Sequence, residues 1–302
     1  MRILLQFPEG LKRKALELAK KYEREGQEVF LSASPCYGAC DLALDEARWI
    51  GADRIVHFGH TRFINKKLPI DVEYIEYKID LAIDSLEALL PKIKSYKRIA
   101  LATTAQHVHQ IGEMKAFLEK NGKQVLIGKG ERAEKPGQIL GCDAGAVKSV
   151  EKDTDAVVFV GTGLFHPLAL DMGNKPVFVF NPDDRSVKEI SAEIERLRKK
   201  RKGAIAKALT CRSFGILVST KPGQLNLAAA EWAKKELRKR GFDAEILVAN
   251  ELEPLTLNNF LVFDCYVNTA CPRMSDDSEE FGKPVLNIDM LKGMLEILDA
   301  NK

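Results

Sequence analysis

The sequence predicts an α/β protein built as three similar small domains, each with a parallel sheet, arranged around a pseudo-threefold axis. Three observations carry that expectation. Short apolar runs alternate with amphipathic stretches along the chain, the pattern of parallel strands joined by helical crossovers. The strand–helix–strand plan recurs with a period of roughly one hundred residues. Glycines and small polar residues follow the first and third apolar runs of each repeat, where open parallel sheets gather their ligands.

The first repeat opens with an apolar run at 2–7 (RILLQF). A helix is expected over 11–25, with Leu11, Ala15, Leu16, Leu18 and Ala19 as its apolar face and Gly26 as its stop. Strands follow at 29–31, 54–58 and 72–77, and Asp41 is positioned to cap a helix running to about residue 50. The second repeat reads strand 98–102, helix 107–120 ended by Asn121 and Gly122, strand 124–127, a short helix after Asp143, and strands 156–160 and 176–180. The third reads strand 214–218, helix 225–240 ended by Gly241, strand 244–248, a turn at 254–257, and strands 260–267 and 284–288. Domains are therefore expected at 1–88, 89–190 and 191–302, the last beginning with a basic linking helix. One large doubly wound sheet is the competing architecture.

With 302 residues, 45% hydrophobic and 29% charged, the chain has the composition of a globular protein, not a disordered or fibrous one. No apolar run reaches the length needed to span a bilayer, and the N-terminus does not read as a signal peptide, so a cytoplasmic protein is expected. The net charge of +3 comes from one knot: Arg196, Arg198, Lys199, Lys200, Arg201 and Lys202 carry six positive charges, and the rest sums to −3. That balance argues against direct nucleic-acid binding, and the knot reads as a solvated helix end.

Six cysteines are scattered without C-x-x-C spacing and are expected as thiols. Cys36 and Cys40 begin the C-x-x-x-C-x-x-C loop of common radical S-adenosylmethionine enzymes, but its third position is Ala43. Cys40 precedes Gly59 by 19 residues and Cys142 precedes Gly163 by 21, so the two hold matching places in successive repeats. Cys271 ends the third strand of the third repeat. Three thiolates meeting on a threefold axis suit an Fe–S cluster, zinc or Cu(I). Cys211 and Cys265 read as small buried hydrophobes.

The stretches Pro35-Cys36-Tyr37-Gly38-Ala39-Cys40-Asp41, Val56-His57-Phe58-Gly59-His60, Gly137-Gln138-Ile139-Leu140-Gly141-Cys142 and Asn268-Thr269-Ala270-Cys271-Pro272-Arg273 closely resemble the first-step enzymes of diphthamide biosynthesis, the 2-(3-amino-3-carboxypropyl)histidine synthases. The resemblance covers nearly the whole chain, in order. It implies three similar α/β domains with Cys40, Cys142 and Cys271 as ligands of one [4Fe–4S] cluster, and no ligand role for Cys36. It implies radical transfer of the 3-amino-3-carboxypropyl group of S-adenosylmethionine to C2 of a histidine in elongation factor 2, leaving methylthioadenosine. All three cysteines in one chain resemble the archaeal homodimeric type.

Gly59, His60, Thr162, Gly163, His166 and Gln224 are the candidate contacts for S-adenosylmethionine, since they follow strand ends or precede a helix start. His57 reads either as packed or as ligand-binding, and His107 and His109 as structural. Gly128-Lys129-Gly130-Glu131-Arg132-Ala133 superficially resembles a dinucleotide fingerprint, but Pro136 breaks the helix that motif requires. Two other readings stay open: an enzyme like quinolinate synthase, also a three-domain Fe–S protein, and a non-catalytic metal-binding partner subunit.

Overall fold

In the computed structural model, which describes residues 1–300, three separate sheets replace the single-sheet alternative. The first contains β1 (Arg2–Gln6), β2 (Glu28–Leu31), β3 (Arg54–Phe58) and β4 (Asp71–Ile75), in the order β2-β1-β3-β4. The second contains β5 (Arg98–Thr103), β6 (Gln124–Leu126), β7 (Ala156–Val160), β8 (Val177–Phe180) and β9 (Val187–Glu189), in the order β6-β5-β7-β8-β9. The third contains β10 (Ser213–Ser219), β11 (Asp243–Ala249), β12 (Cys265–Asn268) and β13 (Val285–Asn287), in the order β11-β10-β12-β13. Every pair is parallel except β8 with β9. The helices are α1 (Ala15–Arg24), α2 (Leu44–Trp49), α3 (Ile111–Lys120), α4 (Gly145–Lys148), α5 (Ser191–Ala208), α6 (Leu227–Lys239), α7 (Pro254–Leu257) and α8 (Ile288–Ala300). Residues 1–194, with the first two sheets, form one compact unit, and the described residues from 195 onward form a second that holds the third.

Alternation along each strand decides which helix it covers. On β1, Ile3 and Leu5 pack with Val56 against Ala15, Ala19 and Tyr22 of α1, while Leu4 and Ile55 face Ala47 of α2. On β5, Ile99 and Leu101 face Met114 and Leu118 of α3, whereas Ala100 and Ala102 face Ala146 and Val147 of α4. On β10, Phe214, Ile216 and Val218 pack against Ala230, Ala233 and Leu237 of α6, and Leu217 lies on the other face with Tyr266 and Phe281.

Several elements differ from the sequence expectation. The first helix starts at Ala15, because residues Glu9–Lys14 after Pro8 form a 3-10 turn. Asp41 does not cap α2; that helix begins after Ala43, and the Asp41 carboxylate accepts the Tyr37 N–H at 3.4 Å. The apolar run expected as strand 260–267 pairs only from Cys265, and Leu261 and Val262 are 83% and 72% exposed in the loop before it. Two elements were not anticipated: the antiparallel edge strand β9 and the terminal helix α8, which buries Met290, Leu291, Met294 and Leu295 at helical spacing. The basic knot sits within the continuous helix α5 and is partly paired rather than simply solvated: Arg198 with Glu195, Lys200 with Glu279 at 3.1 Å, Arg201 with Asp276 at 2.9 Å. Among the described residues no helix is long and apolar enough to cross a membrane.

Candidate metal centre

The carboxyl end of the first sheet carries a buried polar chain. Gln6 ends β1 and lies in register with His57 on β3. The Gln6 Nε2 donates to the Asp41 carbonyl at 2.7 Å, which fixes the amide: its Oε1 accepts the Ala43 N–H at 3.3 Å and faces His57 Nδ1 at 2.9 Å. An amide oxygen only accepts, so His57 carries its proton on Nδ1. The bare Nε2 then accepts from His60 Nδ1 at 2.9 Å. Burial lowers the His57 pKa to about 3 and that of His60 to about 4, helped by His60 beside His57 and by His166 beside His60. Both imidazoles are neutral at ordinary pH. The buried Cys36 joins them: Cys36, His57 and His60 each place a ligand atom within 4.8 Å of the others.

Gly59 lets the chain leave β3 over the end of β1. Its φ is +93°, and a Cβ there would stand 3.0 Å from Leu11 Cδ1 and 3.2 Å from Pro8 Cγ. Two residues on, Thr61 Oγ1 accepts from Gln138 Nε2 at 2.8 Å, so the loop after β3 meets the segment that leads to Cys142. At Gly141 a Cβ would lie 2.4 Å from the Phe165 ring, so a side chain there would displace that ring. Phe165 stacks edge-on against His166, with ring centroids 5.2 Å apart. The Asp143 carboxylate fixes the turn after Cys142 by accepting the N–H groups of Arg132, Ala133 and Gly145. His60, Thr61, Gln138, Phe165 and His166 thus form one connected neighbourhood within the first compact unit. Thr162 and Gly163 are exposed, and Gly163, at φ +71°, has open space where a Cβ would be.

Cys40 and Cys142 are both half-buried, each in the loop before the short helix that follows the second strand of its sheet, α2 and α4. In the second compact unit Cys271 follows β12. Burial pushes its thiol up, while the N–H groups of Arg273 and Met274 and the Arg273 guanidinium favour the thiolate. Asn268 Nδ2 donates to the Cys271 carbonyl at 2.8 Å, and Asn287 Nδ2 donates to the Pro272 carbonyl at 2.8 Å. Within each unit, a thiol at a strand-end loop is a donor suited to a cluster that needs thiolates.

The remaining residues sort as follows. Gln224 lies three residues before α6, whose N-terminus is capped by Asn226 accepting the Ala229 N–H; the helix start expected beside Gln224 is displaced. Its turn holds Lys221, a buried cation paired with Glu251 that sequence reasoning did not single out. Cys211 and Cys265 lie in the core with Phe214, and burial raises the Cys265 thiol well above its ordinary range. His107 bonds the Ile79 carbonyl and His109 the Asp80 carboxylate, both structural ties. The 128–133 segment forms no helix, which removes the dinucleotide reading. Gln6 was also missed; its signal was a polar residue closing the apolar run RILLQF.

Residues 7–300 match the family of diphthamide synthesis proteins. The 2-(3-amino-3-carboxypropyl)histidine synthase of Pyrococcus horikoshii is 40% identical over 98% of this chain and 86% of its own length. The synthase of Methanocaldococcus jannaschii is 30% identical over 98% of this chain and 84% of its own. Subunit 1 of the synthase of Nematostella vectensis is 30% identical over 95% of this chain, which spans 62% of that longer protein. The crystal structure of Dph2 from Pyrococcus horikoshii superposes with a TM-score of 0.89 at 38% identity, over 98% of this chain and 86% of that one. The same protein solved with a 4Fe-4S cluster gives 0.88 over the same shares. A match that runs from the end of β1 through α8 takes in every cysteine-bearing loop of the three sheets: the chain belongs to the diphthamide synthesis protein family.

Proposed function

We propose that this chain catalyses the first step of diphthamide formation: transfer of the 3-amino-3-carboxypropyl group of S-adenosylmethionine to C2 of a histidine in elongation factor 2. The observation that carries the reading is the 40% identity, across 98% of the chain, to a protein named for that product. Cys40, Cys142 and Cys271, one from each sheet, hold a [4Fe–4S] cluster as thiolates. When bound, the cluster supplies an electron for cleaving the bond between the sulfonium and the γ-carbon, which leaves methylthioadenosine.

The chain's own residues bind, orient and exclude water. At Cys271 the Arg273 charge and two backbone N–H groups offset only part of the cost of a buried thiolate, and burial still holds the thiol up. Gly59, His60, Thr162, Gly163, His166 and Gln224 contact S-adenosylmethionine. The open space at Gly163 and the neutral imidazole of His60 beside His166 support that assignment for the first compact unit. Neutral imidazoles donate or accept hydrogen bonds without repelling a sulfonium. The active form is a homodimer, read from the presence of all three cysteines in one chain.

The test is anaerobic incubation of iron-loaded protein with S-adenosylmethionine, dithionite and elongation factor 2. Methylthioadenosine and a modified histidine are expected. 5′-Deoxyadenosine as the main nucleoside, or an absolute requirement for a second related subunit, overturns the reading.

A further inference from the structure

We infer that Cys36, His57 and His60 form a second metal site, one that takes a single divalent ion of the zinc class and is independent of the three cysteines proposed for the cluster. The donor set is one thiol and two imidazoles, with no carboxylate; that chemistry suits zinc and its analogues, not magnesium or calcium. The spacing suits one small ion. Ligand atoms about 2.0–2.3 Å from a tetrahedral ion lie roughly 3.3–3.6 Å apart. His57 Nε2 and His60 Nδ1 are already 2.9 Å apart, and all three ligand atoms fall within 4.8 Å. Shifts of some tenths of an ångström to about an ångström complete the geometry.

The outer shell is already in place, and it supplies an observation independent of the cluster of donors. His57 is fully buried. Its Nδ1–H is spent on Gln6 Oε1, and Gln6 is locked by the Asp41 carbonyl, so Nε2 is the nitrogen turned toward His60 and Cys36. A ligating imidazole tied by its far N–H to a fixed oxygen is the recurrent arrangement around protein zinc. In the metal-free chain the proton on His60 Nδ1 fills the gap between the two rings. When the ion enters, that proton moves to His60 Nε2, the Cys36 thiol loses its proton to solvent, and the site gains one positive charge overall. His60 then presents an N–H on the side away from the ion, so the ligand role leaves it a donor for the co-substrate contact proposed above. Three protein ligands leave a fourth position for water or an external ligand.

The probe is Co2+, titrated anaerobically into the iron-free Cys40→Ala/Cys142→Ala/Cys271→Ala variant, in which the cluster thiols cannot compete. One Co2+ per chain is expected, with a sulfur-to-cobalt charge-transfer band and the intense visible bands of a tetrahedral ion. Adding Cys36→Ser removes the charge-transfer band, and adding His60→Gln weakens binding at least tenfold. Adding Gln6→Leu, which touches no metal, weakens it about 10–100-fold through the lost anchor of His57. No stoichiometric binding in a triple variant with native circular dichroism overturns the site, as does binding unchanged by Cys36→Ser. If the triple variant does not fold, the iron-loaded wild-type chain is given Zn2+ and passed over a desalting column. One retained zinc per chain, absent in Cys36→Ser at unchanged iron content, is expected; equal zinc in both overturns the proposal. Loss of transferase activity alone bears on the cluster and leaves both readouts untouched.

Discussion

The first and third sheets share strand order and connectivity, yet their carboxyl ends are furnished for different work. The last paired positions correspond: Gln6 with His57 on β1 and β3, Leu217 with Asn268 on β10 and β12. On the next strand His57 pairs with Tyr74, and Asn268 pairs with Asn287. In the third sheet those amides tie down backbone, since Asn268 and Asn287 bond the carbonyls of Cys271 and Pro272. In the first sheet the amide of Gln6 ties down an imidazole instead, and through it a second. The scaffold fixes where polar groups can gather. The residue type at one register position decides whether the sheet end holds a loop still or presents ligating nitrogens.

The strongest way to break this comparison is at the cysteines. If the strand-end loops serve one cluster, Cys40→Ala, Cys142→Ala and Cys271→Ala each lose most of the iron, about four atoms per chain in the intact protein, and nearly all transferase activity. Cys36→Ala keeps the visible absorption of the cluster. Anaerobic iron content and absorption check both statements. Full iron in Cys142→Ala, or none in Cys36→Ala, removes the division of labour between the cysteines.

The second difference concerns acid. Both imidazoles of the first sheet end are held neutral, with pKa values lowered to about 3 and about 4, whereas an unfolded histidine titrates near 6.5. Between roughly pH 6.5 and 4 the unfolded chain therefore binds protons that the folded chain refuses, and stability falls as pH falls. Metal-free protein is expected to lose about 1.4 kcal/mol per pH unit for each histidine across that window, and these two contribute no slope above it. The amide end of the third sheet has no such dependence. Hydrogen exchange of β1 and β3 against β10 and β12 from pH 7 to 5 measures the contrast. His57→Gln is expected to flatten the first slope by about half; equal slopes in both regions contradict the buried neutral pair.

Asn268 sharpens the third-sheet half of the comparison. Its side chain, 2% exposed, bonds the Cys271 carbonyl, Asn287 Oδ1 and the Ala270 N–H. Asn268→Leu fits the strand but strips partners from one buried and two part-buried polar groups. A loss of about 2–4 kcal/mol in urea unfolding is expected. Iron retention should fall as well, because the loop carrying Cys271 loses its anchor. Unchanged iron would show that the loop is held by Arg273 and Pro272 alone.

Much of this was legible in the sequence, and the gaps have physical causes. The three-sheet plan followed from alternating apolar runs, and the parallel strands appeared where β-branched residues cluster, as at Ala156–Val160. The strand expected at 260–267 was overextended because Phe260, Leu261 and Val262 are apolar yet exposed, and exposure leaves no mark in a local pattern. β9 was invisible because an edge strand of Val187, Lys188 and Glu189 has one apolar residue. α8 is readable from Met290, Leu291, Met294 and Leu295, but it begins directly after β13, so its first residues continue an apolar run that reads as strand. At the site, motif spacing pointed to Cys40, Cys142 and Cys271. It did not reveal that Gln6 and Cys36 join the neighbouring pair His57 and His60, because β1–β3 pairing brings Gln6 to His57 across 51 residues and Cys36 comes from a separate loop after β2.

The smallest effect is expected where a cysteine only packs and bonds its neighbours in the core, Cys211 and the Tyr266 carbonyl. Cys265 lies on β12 only a few residues before Cys271, yet strand alternation turns it into the core against Phe214, with no measurable exposure. Burial holds its thiol protonated, the opposite of what a metal ligand needs. Cys265→Ala removes one sulfur atom and leaves a cavity smaller than a methylene pair, so about 1–2 kcal/mol of stability should be lost. Iron content and transferase activity should stay at the wild-type level. The comparison with Cys271 is direct: two thiols on one strand and its following loop, one facing helices and one leaving the strand end. Iron loss in Cys265→Ala equal to that in Cys271→Ala would mean that the whole strand, rather than its final loop, positions the metal.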